Sequence, residues 1–484
     1  MKNVKKYRWL GAGICTVLCL TAGGCSLTEK QGTVKLDKDN PTTVTIWHYY
    51  NGTQLEAFDR LIQEFNETEG QKQGIIVEAV SQGNVQSLED AVLDAAEQKA
   101  GTGVMPSIFA AYADTAYEVD KLGYVVDLKQ YLTQKEMDEY IDSYIEEGMF
   151  AGDGSLKIFP TAKSTEVFVM NKTDWDRFAQ ATGADTEQLA TIEGVTQIAE
   201  EYYNWTDSLT EQPGDGKAFF GRDAMANYML IGARQLGVEI FEVSDGKVTL
   251  NCDRKVMKKL WENYYVPFVK GYFAASGGFR SDDVKTGNIL AFVGSSSGAM
   301  FFPKEVVLND SDSYPIELEV LEAPKFAEGE DYAVQQGAGM VVTRTNEKEI
   351  YGSVQFLKWF TEKERNIQFA LSSGYLPVKK EANNMEQIKK QAENTDESSM
   401  NIIEKAVDTV QQNELYTTKA FEHGTDARSV LEYALSDQAE TDKKQVTEKL
   451  EKGQTLDEAA EEFVSEDAFE AWYQDLKAAL ENAL

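Results

Sequence analysis

Gly294-Ser295-Ser296-Ser297-Gly298 fits the pattern G-x-S-x-G and follows the apolar run Ile289–Val293. That is the layout of a nucleophile elbow, in which a serine at a strand end attacks an acyl carbon, and His423 lies downstream to act as its base. A serine hydrolase using Ser296 and His423 is therefore one reading. Against it, no HGGG-type oxyanion segment precedes the serine, and a chain with 36 glycines meets a five-residue pattern easily. The competing reading is a strand end whose hydroxyls and amides line a pocket. His48 and His423 are the only histidines, so general bases are few and a His-rich metal site is excluded. H-E-x-x-H, C-x-x-C and G-x-x-x-x-G-K-[ST] are absent. No metal and no cofactor is expected. The 81 acidic residues are too many for a pair of glycosidase carboxylates to be singled out. Nothing in these residues demands an enzyme.

A second chemical signal is Cys25. Lys2, Lys5, Lys6 and Arg8 precede an apolar run from Trp9 to Leu20, and small residues follow. This is the plan of a secretory signal, too short to span a bilayer that needs about 20 residues. Ala22-Gly23-Gly24-Cys25 resembles a bacterial lipobox, with Ala22 where leucine is usual. Residues 1–24 then read as a lipoprotein signal peptide, Cys25 as the acylated first residue and 25–41 as a flexible tether. Two acyl chains suffice for stable anchoring, where one is marginal. Losing those four positive charges takes the formal charge from −34 to −38. So acidic a chain is not expected to bind nucleic acid or an anionic lipid surface. Of four cysteines only Cys25 and Cys252 would remain, and no intramolecular disulfide is expected. With 42% hydrophobic residues, the chain can fill the cores of two domains.

These residues need elements to position them. Val44 and Ile46 of "TVTIWHYY" share a strand face, and Leu55, Phe58, Ile62 and Phe65 then keep helical spacing. "GIIVEAV" (74–80) reads as a strand, 88–100 as a helix, and "MPSIFAAY" (105–112) as a strand buried on both faces. Alternating strands and helices predict a mostly parallel sheet with helices on both sides. The grammar recurs in "GNILAFVGSSSGAM" (287–300) and in "GAGMVVT" with the helix after it. Near the C-terminus, Thr455-x-x-Glu458 is a capping box, and Phe469, Trp472, Tyr473, Leu476 and Leu480 form a core-facing stripe. Trp175, Trp261 and Trp359 lie in apolar helical stretches and read as core.

"TIWHYYNGTQLEAFDRLIQEFN", "FPTAKSTEVFVMNKTDW", "TGNILAFVGSSSGAM" and "SSGYLPVKKEA" occur in that order. Together they resemble extracellular solute-binding proteins of carbohydrate-type ABC importers, most of all the branch of glycerol-3-phosphate binders. The resemblance implies a two-lobed periplasmic-binding-protein-like α/β fold (type II). Each lobe is a mostly parallel sheet flanked by helices, with the ligand cleft between them. It places one lobe at 42–160 plus 318–372 and the other at 161–317 plus 373–484. The chain would cross near 159–164, 313–320 and 371–377, each crossing with a glycine or proline where a hinge must bend. It also implies a monomeric receptor that passes its solute to a membrane permease. The lipid tether would hold it outside a Gram-positive-type cell membrane.

Carried over by the same resemblance, Ser164 and Thr165 face the cleft at the first crossing. Ser296 and Ser297 end a strand of the second lobe, Gly337 offers an amide, Tyr375 lies at the third crossing and Arg428 reaches the ligand. Hydroxyls, amides and a guanidinium suit a polyol or a phosphate. Two positions depart from the glycerol-phosphate branch: Val85 follows Gly83-Asn84 where that branch has tyrosine, and Ala113 follows Tyr112 where it has glutamate. The carboxylate comes one residue later, at Asp114. Asp223 could accept from sugar hydroxyls with Arg222 beside it; alternatively the two merely open a helix. Trp47 and Tyr49 follow the first strand and could stack on a sugar ring. The expected ligand is a mono- or oligosaccharide, with glycerol-3-phosphate or a glycerophosphodiester as the alternative.

Overall fold

The computed structural model describes residues 34–244 and 247–484. The signal peptide, Cys25 and most of the tether lie outside these residues. The first lobe begins with β1 (Thr42–His48), α1 (Gly52–Glu67), β2 (Ile75–Ser81), α2 (Val85–Ala96), β3 (Ile108–Ala111) and α3 (Ala113–Lys121). Val44, Ile46 and His48 alternate into the interior, and α1 lays Phe58, Leu61 and Phe65 over them. A short helix, α4 (Asp142–Glu147), precedes the first crossing.

Beyond it come β4 (Glu166–Asn171), α5 (Ile192–Asp207), β5 (Phe220–Arg222), α6 (Met225–Gln235), α7 (Arg254–Val269) and α8 (Arg280–Lys285). Then follow β6 (Ala291–Ser295), α9 (Ser296–Ala299) and β7 (Leu318–Glu322). The chain returns as β8 (Gly339–Val342), α10 (Glu347–Phe360) and α11 (Lys363–Ser373), and recrosses to α12 (Gly424–Tyr433) and the last helix, α13 (Glu466–Ala483).

The strands form two four-stranded sheets, ordered β8-β3-β1-β2 and β7-β4-β6-β5. In the first, β1 pairs parallel with β2 and β3, and only β8 is antiparallel. The second departs from the expected mostly parallel sheet: β4 is antiparallel to both β6 and β7, and only β5–β6 is parallel. The reason is connectivity. Strand β4 starts at the crossing and runs outward, whereas β5 and β6 run back toward it. The expected boundary at 318 is also corrected. Strand β7 belongs to the second sheet, with Val320 opposite Val169, so the chain returns only at 335–339.

Each sheet has its own core. Trp359 lies in the first, and Trp175 and Trp261 in the second, together with Phe469, Trp472, Leu476 and Leu480 of α13. Thr455 and Glu458 form the capping box. Among the described residues no helix is long and apolar enough to cross a membrane, and no group of three or more His, Cys, Asp or Glu is placed to hold a metal.

The three crossings meet at Lys163. Its backbone pairs with Leu376 of the third crossing, and neighbouring Ser164 pairs with Gln336 of the second. Its ammonium, 1% exposed, donates to both oxygens of Glu147 on α4 and to the Gly337 carbonyl, each at 2.7 Å. Gly337 has φ +93°, and a Cβ there would lie 3.1 Å from the Ala162 carbonyl oxygen. Only glycine fits this position without strain.

Candidate functional site

The sheet ends bring several of the expected site residues together. Ser296 donates its backbone N–H to the Thr165 carbonyl at 2.8 Å, and its hydroxyl to the Gly374 carbonyl at 2.8 Å. It is fully buried. A nucleophile elbow exposes its serine; here the hydroxyl proton is spent on a carbonyl. His423 is half exposed, caps α12 in a left-handed conformation, and has Nδ1 3.7 Å from Asp426. The hydrolase reading of Ser296 and His423 is therefore corrected: the Ser296 hydroxyl holds the Gly374 backbone, and the His423 imidazole faces Asp426.

Ser297 and Tyr375 join a run of hydroxyls. Tyr375 is within reach of Ser297, its Oη is 3.2 Å from Tyr49 Oη, and Tyr49 in turn reaches Tyr112. The Ala338 amide also donates to Tyr49, at 3.4 Å. This run joins the second lobe, the hinge and the first lobe. Burial raises all three tyrosine pKa values well above 10, so each remains a neutral donor and acceptor.

On the first-lobe wall, Asp114 sits in the first turn of α3. The residue is only half-buried, but its Oδ1 is shut off from solvent and has no hydrogen-bond partner. It packs against the start of α12: a Cβ on Gly424 would lie 2.4 Å from it. Burial pushes its pKa up to about 7; Arg428 opposes the shift and Glu89 reinforces it. Glu89 lies nearby on α2, accepts from Thr115 at 2.9 Å, and is likewise raised by burial. Lys121 of α3 and Glu422, 2.6 Å apart, pin the lobes at the rim.

The second-lobe wall is a closed set of charges. Arg222 and Glu166, each 4% exposed at the side chain, form an ion pair over the Tyr228 ring. Asn227 on α6 donates to Glu166 at 3.0 Å and to Gln336 at 2.8 Å, and accepts from Arg428 at 2.5 Å. Glu166, Asn227 and Glu89 were not singled out in the sequence. Arg222 faces Glu166 rather than Asp223. Asp223 accepts instead from the Arg280 backbone at 3.3 Å, and burial lifts its pKa to about 6 against the pull of Arg280.

Three expected positions stand apart. Trp47, level with Phe109 of β3, packs against Gly103 in the loop before that strand. Strand alternation puts it on the face away from Ile46 and His48. Asn84 caps α2 by accepting from Ser87 N–H at 2.8 Å and is exposed. The Thr165 hydroxyl is buried without a partner beside Arg222, in a cavity of about 30 Å³ inside the second lobe.

With this geometry the comparisons with known proteins agree. The family model for bacterial extracellular solute-binding protein matches residues 60–396. The chain belongs to that family. No curated protein matches it significantly. Among solved structures it is similar to UgpB from Mycobacterium tuberculosis in complex with glycerophosphocholine (TM-score 0.65, 16% identity, 92% of this chain and 100% of that one). It is also similar to the cyclic alpha-maltosyl-1,6-maltose binding protein from Arthrobacter globiformis (0.63, 17%, 91% and 100%). A third is the substrate-binding protein Lmo0181 from Listeria monocytogenes in complex with cycloalternan (0.63, 15%, 91% and 99%). At these identities the similarity shows the two-lobed fold and leaves the ligand open.

Proposed function

We propose that this protein is the lipid-anchored receptor of an ABC importer, capturing an uncharged sugar in its cleft and delivering it to a permease without chemical change. The observation that carries the choice of ligand is the state of Arg428. Its guanidinium already donates to Asn227, and Asp114 and Glu89 lie on the facing wall. A phosphate entering here would meet two acidic side chains, which repel it wherever they are ionised, and a cation with a partner of its own. A polyol meets three neutral tyrosine hydroxyls, Ser297 and a buried acceptor in Asp114, all groups that pair with O–H. Calorimetry with a panel of sugars, glycerol-3-phosphate and glycerophosphocholine tests the choice. Tight binding of a phosphate ligand with no response to any sugar overturns it.

The second reading, a glycerophosphodiester with a cationic headgroup, draws on the same pair: Arg428 would take the phosphate and Asp114 the cation. The anchor is tested separately. Replacing Cys25 with alanine should release the protein into the medium or leave an uncleaved precursor, with ligand affinity unchanged. A normally processed, membrane-bound variant would rule the anchor out.

A further inference from the structure

Asp223 has a neighbour that none of the readings above uses. Phe279 is 69% exposed, among the most exposed large apolar side chains of the described residues. It occupies the cap position before α8, where serine, threonine, aspartate or asparagine is favoured and phenylalanine gives the helix nothing. A loop this exposed would ordinarily be loose; this one is stapled from beneath. Asp283, 1% exposed, accepts from the amides of Ser276 at 3.1 Å and Gly277 at 2.9 Å. Arg280, itself buried, pairs with Asp283 at 2.6 Å and donates to the Gly277 carbonyl at 2.6 Å. The staple also ties the loop to the cleft, because the Arg280 amide donates to Asp223 Oδ1. The other carboxylate oxygen, Oδ2, lies over Gly294, where a Cβ would come within 3.0 Å of it. The Asp223 side chain keeps 30% of its surface. An exposed apolar ring on a stapled loop and a partly exposed carboxylate thus stand at the end of β5, one strand away from Ser295–Ser297. A ring face offers stacking to the C–H side of a sugar, and a carboxylate offers acceptance to its hydroxyls.

We propose that Phe279 and Asp223 form an outer subsite that holds a second sugar unit, so that the ligand is an oligosaccharide reaching outward from the tyrosine cluster. This rests on the sugar reading above and narrows it. The test is calorimetry with glucose, maltose, maltotriose, mannose and mannotriose, alongside a glycan array, on wild type, Phe279→Ala, Phe279→Tyr and Asp223→Asn. Affinity should rise with chain length in wild type. Phe279→Ala should lose roughly three- to ten-fold on the trisaccharide that binds, the worth of one aromatic contact. It should leave the matching monosaccharide unchanged, and Phe279→Tyr should keep the wild-type pattern. Asp223→Asn should weaken the trisaccharide selectively. If sugars bind but Phe279→Ala matches wild type at every length, the subsite is overturned and the sugar reading stands. If no sugar on the array binds, the sugar reading falls and the subsite with it.

Discussion

The two walls of the cleft solve opposite problems. In the second lobe Glu166, Arg222, Asn227 and Arg428 form one connected network in which each charge meets a partner, although Arg222 Nε is buried without one. In the first lobe Asp114 keeps a buried oxygen without a partner, and Glu89 has only Thr115. A buried polar group without a partner is costly, so a site that carries one is unfinished until something supplies the missing bond. On the proposed reading, the second-lobe wall is a frame set in advance and the first-lobe wall supplies groups that a ligand would complete. Substitutions on the two walls should accordingly fail in different measurements.

The largest effect belongs to the frame. Glu166→Ala strands the Arg222 guanidinium in the interior, and breaking a buried pair by removing one partner costs about 3–5 kcal/mol. Chemical denaturation should read this directly as a lower midpoint. A variant as stable as wild type would mean that the frame is not held by its charges, and the contrast between the walls would fall.

Arg428 stands where frame meets ligand. Arg428→Ala should weaken a sugar by about 1–3 kcal/mol, the worth of a charge-assisted hydrogen bond, and weaken a phosphate by more. Calorimetry on one variant with both ligand classes sharpens the comparison. Equal losses for the two would show that Arg428 acts only through Asn227.

Asp114 should announce itself in pH dependence. It holds its proton to about pH 7 in the fold, against an ordinary value of 3.8. The folded state thus binds more protons in that window, and stability rises as pH falls from about 7 toward 4 and declines on the way back up. Glu89 and Asp223 are raised too and act in the same sense. Asp114→Asn should flatten this slope without lowering stability at pH 8. An unchanged slope would place the proton uptake elsewhere and remove Asp114 from the unfinished wall.

How much of this was legible in the sequence depended on how local each signal was. Val44 and Ile46, or the helical spacing through Phe65, state their burial within a few residues, and the first-lobe elements follow from them. Strand β7 does not: "LEVLE" is half-exposed along its length, and nothing in it says which sheet it joins. Tyr375 and Arg428 came through resemblance, while Glu166 and Asn227 were missed although Glu166 lies inside a quoted stretch. A signal was present. Glu166 opens the apolar strand "VFVM", and Arg222 ends "AFFG". Two opposite charges, each embedded in an apolar strand, can be buried together only as a pair. Their distance in sequence, 56 residues, hid them from any local pattern.

The smallest expected effect is at Trp47, which the sequence placed in the cleft. Its register partners are Val80 and Phe109, and its ring rests on Gly103, in the loop ahead of β3. Strand alternation turns the ring to the sheet face away from Ile46 and His48, where it packs on Gly103 inside the first lobe. Trp47→Phe should therefore leave affinity for the bound sugar unchanged. It should cost about 1–2 kcal/mol of stability, as expected for shaving a partly buried aromatic that leaves some space over Gly103. Calorimetry and denaturation on the same preparation separate the two. A drop in affinity at undiminished stability would return Trp47 to the cleft and mean that the first-lobe wall extends further along β1 than Tyr49.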